Sequence, residues 1–287
     1  MLTYMFPGQG SQFVGMGEEL LNDFKTLSNR ASDILGYDIR ELCIKDPENK
    51  LSQTQYTQPA IFVVSALSYL KQFEITSKKS NFLAGHSLGE YCALFAAGVF
   101  DFETGLKLVQ KRGELMSQSK SGAMAAVLGG SYKTVKAILN DGGFDKIEVA
   151  NFNSPVQIVL SGDTEQIERA TDVFEAASVR YIRLPVSAAF HSSYMNNAKQ
   201  EFMTFLKQCT FKPAKIPVIA NVTARPYYSG DELNLLSQQI TSSVRWTDTV
   251  DYLCESGEME FVELGPGQVL TGLVAAIRSN NESKVAA

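Results

Sequence analysis

The sequence predicts an α/β fold in which a large domain with a mostly parallel sheet is interrupted by a small ferredoxin-like subdomain. Three observations carry this. Short β-rich runs ending in glycine turns alternate with long helical stretches through 1–122 and again through 188–287, the pattern of parallel strands joined by crossover helices. Between them, 123–187 changes to the order βαββαβ, a compact unit able to stand as a subdomain. The length of 287 residues, with 45% apolar and 20% charged side chains, suits a globular chain of one large or two moderate domains.

Leu2-Thr3-Tyr4-Met5-Phe6 reads as a buried strand, stopped by Pro7-Gly8-Gln9-Gly10-Ser11-Gln12, where small residues allow close backbone approach. Helical periodicity runs over 17–35 and returns over 59–73, where Pro59 suits a first helical turn. A second strand at 82–84 enters a glycine-flanked turn, and helices follow to 97 and over 102–117. The smaller unit reads as strand 124–128, helix 133–140, strands 147–150 and 156–160, helix 164–177 and strand 180–184. The larger pattern resumes with a strand at 218–220, helices near 231–241 and 246–256, and a strand at 260–264. A tight Gly265-Pro266-Gly267 turn then precedes a last helix. An interrupted large domain predicts a cleft between the two units.

Composition excludes several function classes. Lys and Arg number 26 against 31 Asp and Glu, a net charge of −5, whereas general nucleic-acid binding needs a basic surface to displace counterions. Four widely spaced cysteines and two histidines, His86 and His191, do not make a zinc site and read as reduced thiols. No leader and no apolar run long enough to span a bilayer is evident. The expectation is a cytoplasmic protein with no metal, nucleic-acid or membrane partner.

The chemistry concentrates at Gly85-His86-Ser87-Leu88-Gly89, a G-x-S-x-G pattern between strand and helix. The glycines permit a strained turn that pushes the serine hydroxyl out over the sheet edge, the nucleophile elbow of α/β-hydrolase-like domains. The helix that follows aims its free N–H groups at the same spot, which favours an oxyanion. A serine hydroxyl needs a base, and only two histidines exist. His86 is chained beside Ser87 and points elsewhere, so His191, in Ala188-Ala189-Phe190-His191-Ser192, is the candidate. Asp163, Glu165 or a backbone carbonyl could orient its ring, and the residues alone do not choose.

Further motifs occur in order: Pro7-Gly-Gln-Gly-Ser-Gln12, Gly85-His-Ser-Leu-Gly-Glu90, Lys111-Arg-Gly-Glu-Leu-Met116, Gly122-Ala-Met-Ala-Ala126, Asn153-Ser-Pro155, Ala189-Phe-His-Ser192, Val244-Arg-Trp246 and Glu263-Leu-Gly-Pro-Gly267. Together they cover nearly the whole chain, which resembles the malonyl-CoA:acyl-carrier-protein transacylases and the acyltransferases of polyketide synthases. The run Leu51-Ser-Gln-Thr-Gln-Tyr-Thr-Gln-Pro59 and Phe102-Glu-Thr-Gly105 look most like the freestanding enzymes of trans-acyltransferase polyketide synthases.

The resemblance implies Ser87 as the acylated nucleophile, His191 as its base, and the Gln9 and Leu88 backbone N–H groups as the oxyanion hole. It implies that Arg112, otherwise read as a solvated helix residue, grips a malonyl carboxylate through a rigid two-donor fork. It puts the backbone carbonyl of Gln239 behind His191. Phe190, beside His191, resembles the bulky residue that closes the pocket in malonyl-selective members, and Met116 and Met124 are candidates to line it. The implied partners are malonyl-CoA and an acyl carrier protein or the carrier domains of a polyketide synthase, with no cofactor beyond the carrier's own phosphopantetheine. An acyl hydrolase clearing stalled carrier proteins, malonyl transfer for fatty-acid synthesis and a silent carrier-binding module are the alternatives.

Overall fold

The computed structural model describes residues 1–76, 78–119, 121–186 and 188–285. Strand β1 (Leu2–Phe6) is buried along its whole length. Its alternating side chains enter two cores: Leu2, Tyr4 and Phe6 on one face, Met5 on the other. A strand buried on both faces reads as a continuous apolar run, as parallel sheets require.

The predicted helix 17–35 is two helices, α1 (Glu18–Asp23) and α2 (Lys25–Leu35), broken at Phe24 with φ −102° and ψ 49°. The Ser28 hydroxyl bonds the carbonyls of Leu21 and Phe24 at the break. A short α3 (Ile39–Ile44), capped by the Asp38 side chain, was not expected. Helix α4 (Thr54–Thr76) starts five residues before Pro59 and is buried from Thr57 to Leu67. Its start is tied down by the Tyr56 and Thr57 N–H groups on the Gln53 carbonyl and the Thr57 hydroxyl on the Leu51 carbonyl. Pro59, inside the helix, lacks the N–H that would bond the Gln55 carbonyl.

Strand β2 (Phe82–Gly85), helix α5 (Gly89–Ala96) and helix α6 (Phe102–Gln118) follow. Next come β3 (Ala123–Leu128), α7 (Tyr132–Asp141), β4 (Ile147–Ser154), β5 (Gln157–Gly162), α8 (Thr164–Ala176) and β6 (Arg180–Arg183). The chain then forms α9 (Asn196–Leu206), β7 (Val218–Ile219), α10 (Glu232–Gln239), α11 (Trp246–Glu255), β8 (Glu260–Glu263) and α12 (Val269–Val285). Helix α9 also went unpredicted.

The first sheet is parallel, in the order β7-β2-β1-β8. Helices α4, α5 and α6 contribute to the core on one face, and α11 and α12 to the core on the other. The second sheet is antiparallel, in the order β4-β5-β3-β6, the arrangement of a split βαβ pair. Ala123, Ala125, Val127, Ile158 and Leu160 share a core with α7 and α8. From the opposite face, Met124, Ala126 and Val159 line a cleft shared with the parallel sheet. Residue 187, where the expected subdomain ends, lies outside the described residues. Strand β4 does not stand as an open edge: the Phe152 N–H bonds the Val244 carbonyl, and the Val244 N–H bonds the Ala150 carbonyl, both at 2.9 Å. Among the described residues no helix is long and apolar enough to cross a membrane.

Candidate active site

Ser87 stands between β2 and α5 with φ 52°, a left-handed conformation rare for a residue with a Cβ. The turn closes only because its neighbours are glycines: a Cβ on Gly89 would lie 1.9 Å from the Phe6 carbonyl oxygen. Asn221, just past β7, holds the turn from the side. Its Oδ1 accepts the Ser87 N–H at 2.7 Å and its Nδ2 donates to the Gly85 carbonyl at 2.7 Å. Parallel sheets commonly put their sites at these carboxyl ends of strands.

His191 also has a left-handed backbone, φ 58°, in a turn pinned by the Ser192 hydroxyl on the Ala189 carbonyl. Its Nε2 lies 2.8 Å from Ser87 Oγ and its Nδ1 lies 2.8 Å from the Gln239 carbonyl oxygen. A carbonyl only accepts, so the network assigns the proton to Nδ1 and leaves Nε2 free to receive one. Burial, with the nearby Arg112 charge adding to it, pulls the imidazole down to about 3, so it is neutral at working pH. Asp163 instead caps α8 through the Gln166 N–H, and Glu165 lies beside Arg169 on that helix. His86 turns away, its Nε2 2.8 Å from Asn153 Oδ1.

Arg112, on α6, is 1% exposed. Its Nη1 donates to Gln58 Oε1 at 2.8 Å, and its Nη2 donates to Ser87 Oγ and Gln239 Oε1, each at 3.0 Å. Among the described residues it forms no ion pair. A buried guanidinium without a carboxylate is costly, and it faces a cleft of about 500 Å³. Gln9, Leu88, Met116, Met124, Val159 and Phe190 line that cleft with Ser87 and His191. Among the described residues neither the Gln9 nor the Leu88 backbone N–H has an acceptor, and both are available to an oxyanion. The Gln9 side chain bonds Thr54 Oγ1, and Met116 Sδ accepts from Gln58 Nε2 at 3.5 Å.

The sequence reasoning missed Glu90, Asn221 and the Gln239 side chain. Glu90 had a signal: a single carboxylate at the head of the apolar run Tyr91–Ala97. Among the described residues no group of three or more His, Cys, Asp or Glu could hold a metal ion.

Residues 3–287 match the model of the acyl transferase domain family. A polyketide biosynthesis malonyl CoA-acyl carrier protein transacylase of Bacillus subtilis is 52% identical over 285 residues, 99% of each chain. A crystal structure of a malonyl CoA-acyl carrier protein transacylase from Burkholderia pseudomallei superposes with a TM-score of 0.95 at 48% identity, over 97% of this chain and 98% of that one. A structure of a malonyl-transacylase in complex with its type II polyketide synthase acyl-carrier protein matches with a TM-score of 0.92 at 36% identity, over 97% of this chain and 93% of that one.

Proposed function

The chain belongs to the acyl transferase domain family, and from that premise we propose that it moves a malonyl group from malonyl-CoA to the phosphopantetheine thiol of an acyl carrier protein. The observation that carries this is the buried Arg112 guanidinium, without an ion pair among the described residues, 3.0 Å from the oxygen that His191 can deprotonate. A nucleophile and base alone fit any acyl transfer. A buried cation beside them favours an acyl group that brings its own carboxylate.

In the first half-reaction His191 Nε2 takes the Ser87 proton as Oγ attacks the thioester carbonyl. The tetrahedral oxyanion accepts from the Gln9 and Leu88 N–H groups. Its collapse expels the CoA thiolate, which takes the proton from His191, and a malonyl-serine ester remains. The carrier's thiol then gives its proton to His191 as the sulfur attacks that ester, and Ser87 recovers the proton as it leaves. The Gln239 carbonyl keeps the imidazole in the required tautomer, the role an aspartate has in other triads. Arg112 holds the malonyl carboxylate throughout, a contact worth about 1.5–3 kcal/mol. The ring of Phe190 limits branching at the next carbon.

None of these steps calls on a metal or redox cofactor. The polyketide pathway is supported by the name of the Bacillus subtilis relative, and a cytoplasmic location by the membrane-impermeant CoA thioester. Intact-protein mass spectrometry tests the proposal. Malonyl-CoA should leave a malonyl adduct on Ser87, and a pantetheinylated carrier protein should remove it to itself. An adduct lost to water while the carrier stays bare would make the chain a hydrolase.

A further inference from the structure

Glu90 is fully buried in the first turn of α5, and no step above uses it. Its carboxylate accepts from three donors: the Tyr227 hydroxyl and the Asn221 N–H at 3.0 Å, both on the connection from β7 to α10, and Gln239 Nε2 at 2.7 Å, on α10. The Gln239 amide is thereby committed to one orientation. Its Nε2 faces Glu90 and, at 3.0 Å, the Ser87 carbonyl, while its Oε1 faces Arg112 Nη2 at 3.0 Å. Turned over, the amide would set oxygen against two oxygens and a donor against the guanidinium. Burial pushes the Glu90 carboxyl up to about 7. The bonds from Tyr227, Gln239 and Asn221 oppose that rise, and so does the Arg112 charge. Glu90 thus reaches Arg112 only through the Gln239 amide and makes no ion pair with it.

We propose that Glu90 is a positioning residue for acyl-group selection: by holding Gln239 Nε2 it fixes the amide oxygen on Arg112 and so sets where the guanidinium meets the substrate carboxylate. The proposal rests on Arg112 binding that carboxylate.

Serine acylation by malonyl-CoA and by acetyl-CoA, followed as kcat and KM for each, reads the effect directly. Glu90→Ala should lower the malonyl preference about tenfold, mostly through the KM for malonyl-CoA, with acetyl-CoA changed by no more than about threefold. Glu90→Gln should restore most of the preference, because its amide oxygen can still accept from Asn221 and Gln239 while its NH₂ turns to the Tyr227 hydroxyl. Should Glu90→Ala fail to fold, Tyr227→Phe tests the same relay. It removes one donor from the Glu90 carboxylate, leaves Ser87, His191, Arg112 and Gln239 in place, and should show a smaller loss of the same selective kind.

An equal drop with both substrates in these variants would overturn the proposal, as would a Glu90→Gln protein no better than Glu90→Ala. The two levels separate through the controls. If wild type shows no malonyl preference, or Arg112→Ala does not remove it, Arg112 is not the carboxylate site and the proposal falls with it. If both controls hold and the Glu90 and Tyr227 variants keep the preference, the positioning role alone fails.

Discussion

The parallel sheet and the antiparallel sheet meet the same cleft in different ways. The parallel sheet presents its strand ends: Gln9 follows β1, Ser87 follows β2 and Asn221 follows β7. The antiparallel sheet presents a face, with Met124, Ala126 and Val159 as wall and the opposite side packed on helices. Strand ends offer free backbone N–H groups, tight turns and helix N-termini, which are the materials of bond-breaking. A sheet face offers shape. The difference assigns chemistry to one unit and fit to the other, with His191 and Phe190 on the segment that returns between them.

Substitutions can break this division or sharpen it. The largest effect belongs to the strand-end side. Ser87→Ala should lower carrier malonylation by about 10⁴-fold or more without altering the urea midpoint, and the malonyl adduct should vanish from the mass spectrum. Arg112→Ala should reduce the malonyl-over-acetyl ratio in kcat/KM by about 10- to 100-fold, the value of one charge-assisted contact. Phe190→Ser, at the seam, should raise methylmalonyl-CoA turnover relative to malonyl-CoA by about tenfold. If it lowered both equally, the ring would be packing and not a size filter.

The smallest effect is one of pH. His191 is held far below its ordinary value, so the unfolded chain binds that proton first and stability should fall as pH drops from about 6.5 towards 3. Glu90, raised to about 7, works the other way between 7 and its unfolded value. His191→Asn, which suits a left-handed backbone, should flatten the acid side of a plot of urea midpoint against pH.

Much of the fold was legible because it is local. Phe82-Leu83-Ala84 followed by Gly85-His86-Ser87-Leu88-Gly89 names strand, elbow and helix within a few residues. Elements without such punctuation were missed: α9 starts at Asn196 with no side-chain cap, and α4 runs through a proline that usually marks a start. The support around Ser87 and His191 was hidden for another reason. Glu90 meets Asn221 across 131 residues and Gln239 across 149, and no spacing rule links them. Arg112 shows the same limit. Its helix reads as amphipathic, so the residues alone leave the cation in solvent; the resemblance put it at the site, and the packing shows it buried.

That inward-facing cation also has a thermodynamic meaning. A folded chain that keeps a buried cation with no carboxylate in contact among the described residues is less stable empty than filled. Small carboxylate anions should therefore raise the melting temperature, and the malonyl-loaded form should melt later than the acetyl-loaded one. On the proposed function, selection among acyl groups and resistance to heat would be two readouts of one cation awaiting a carboxylate.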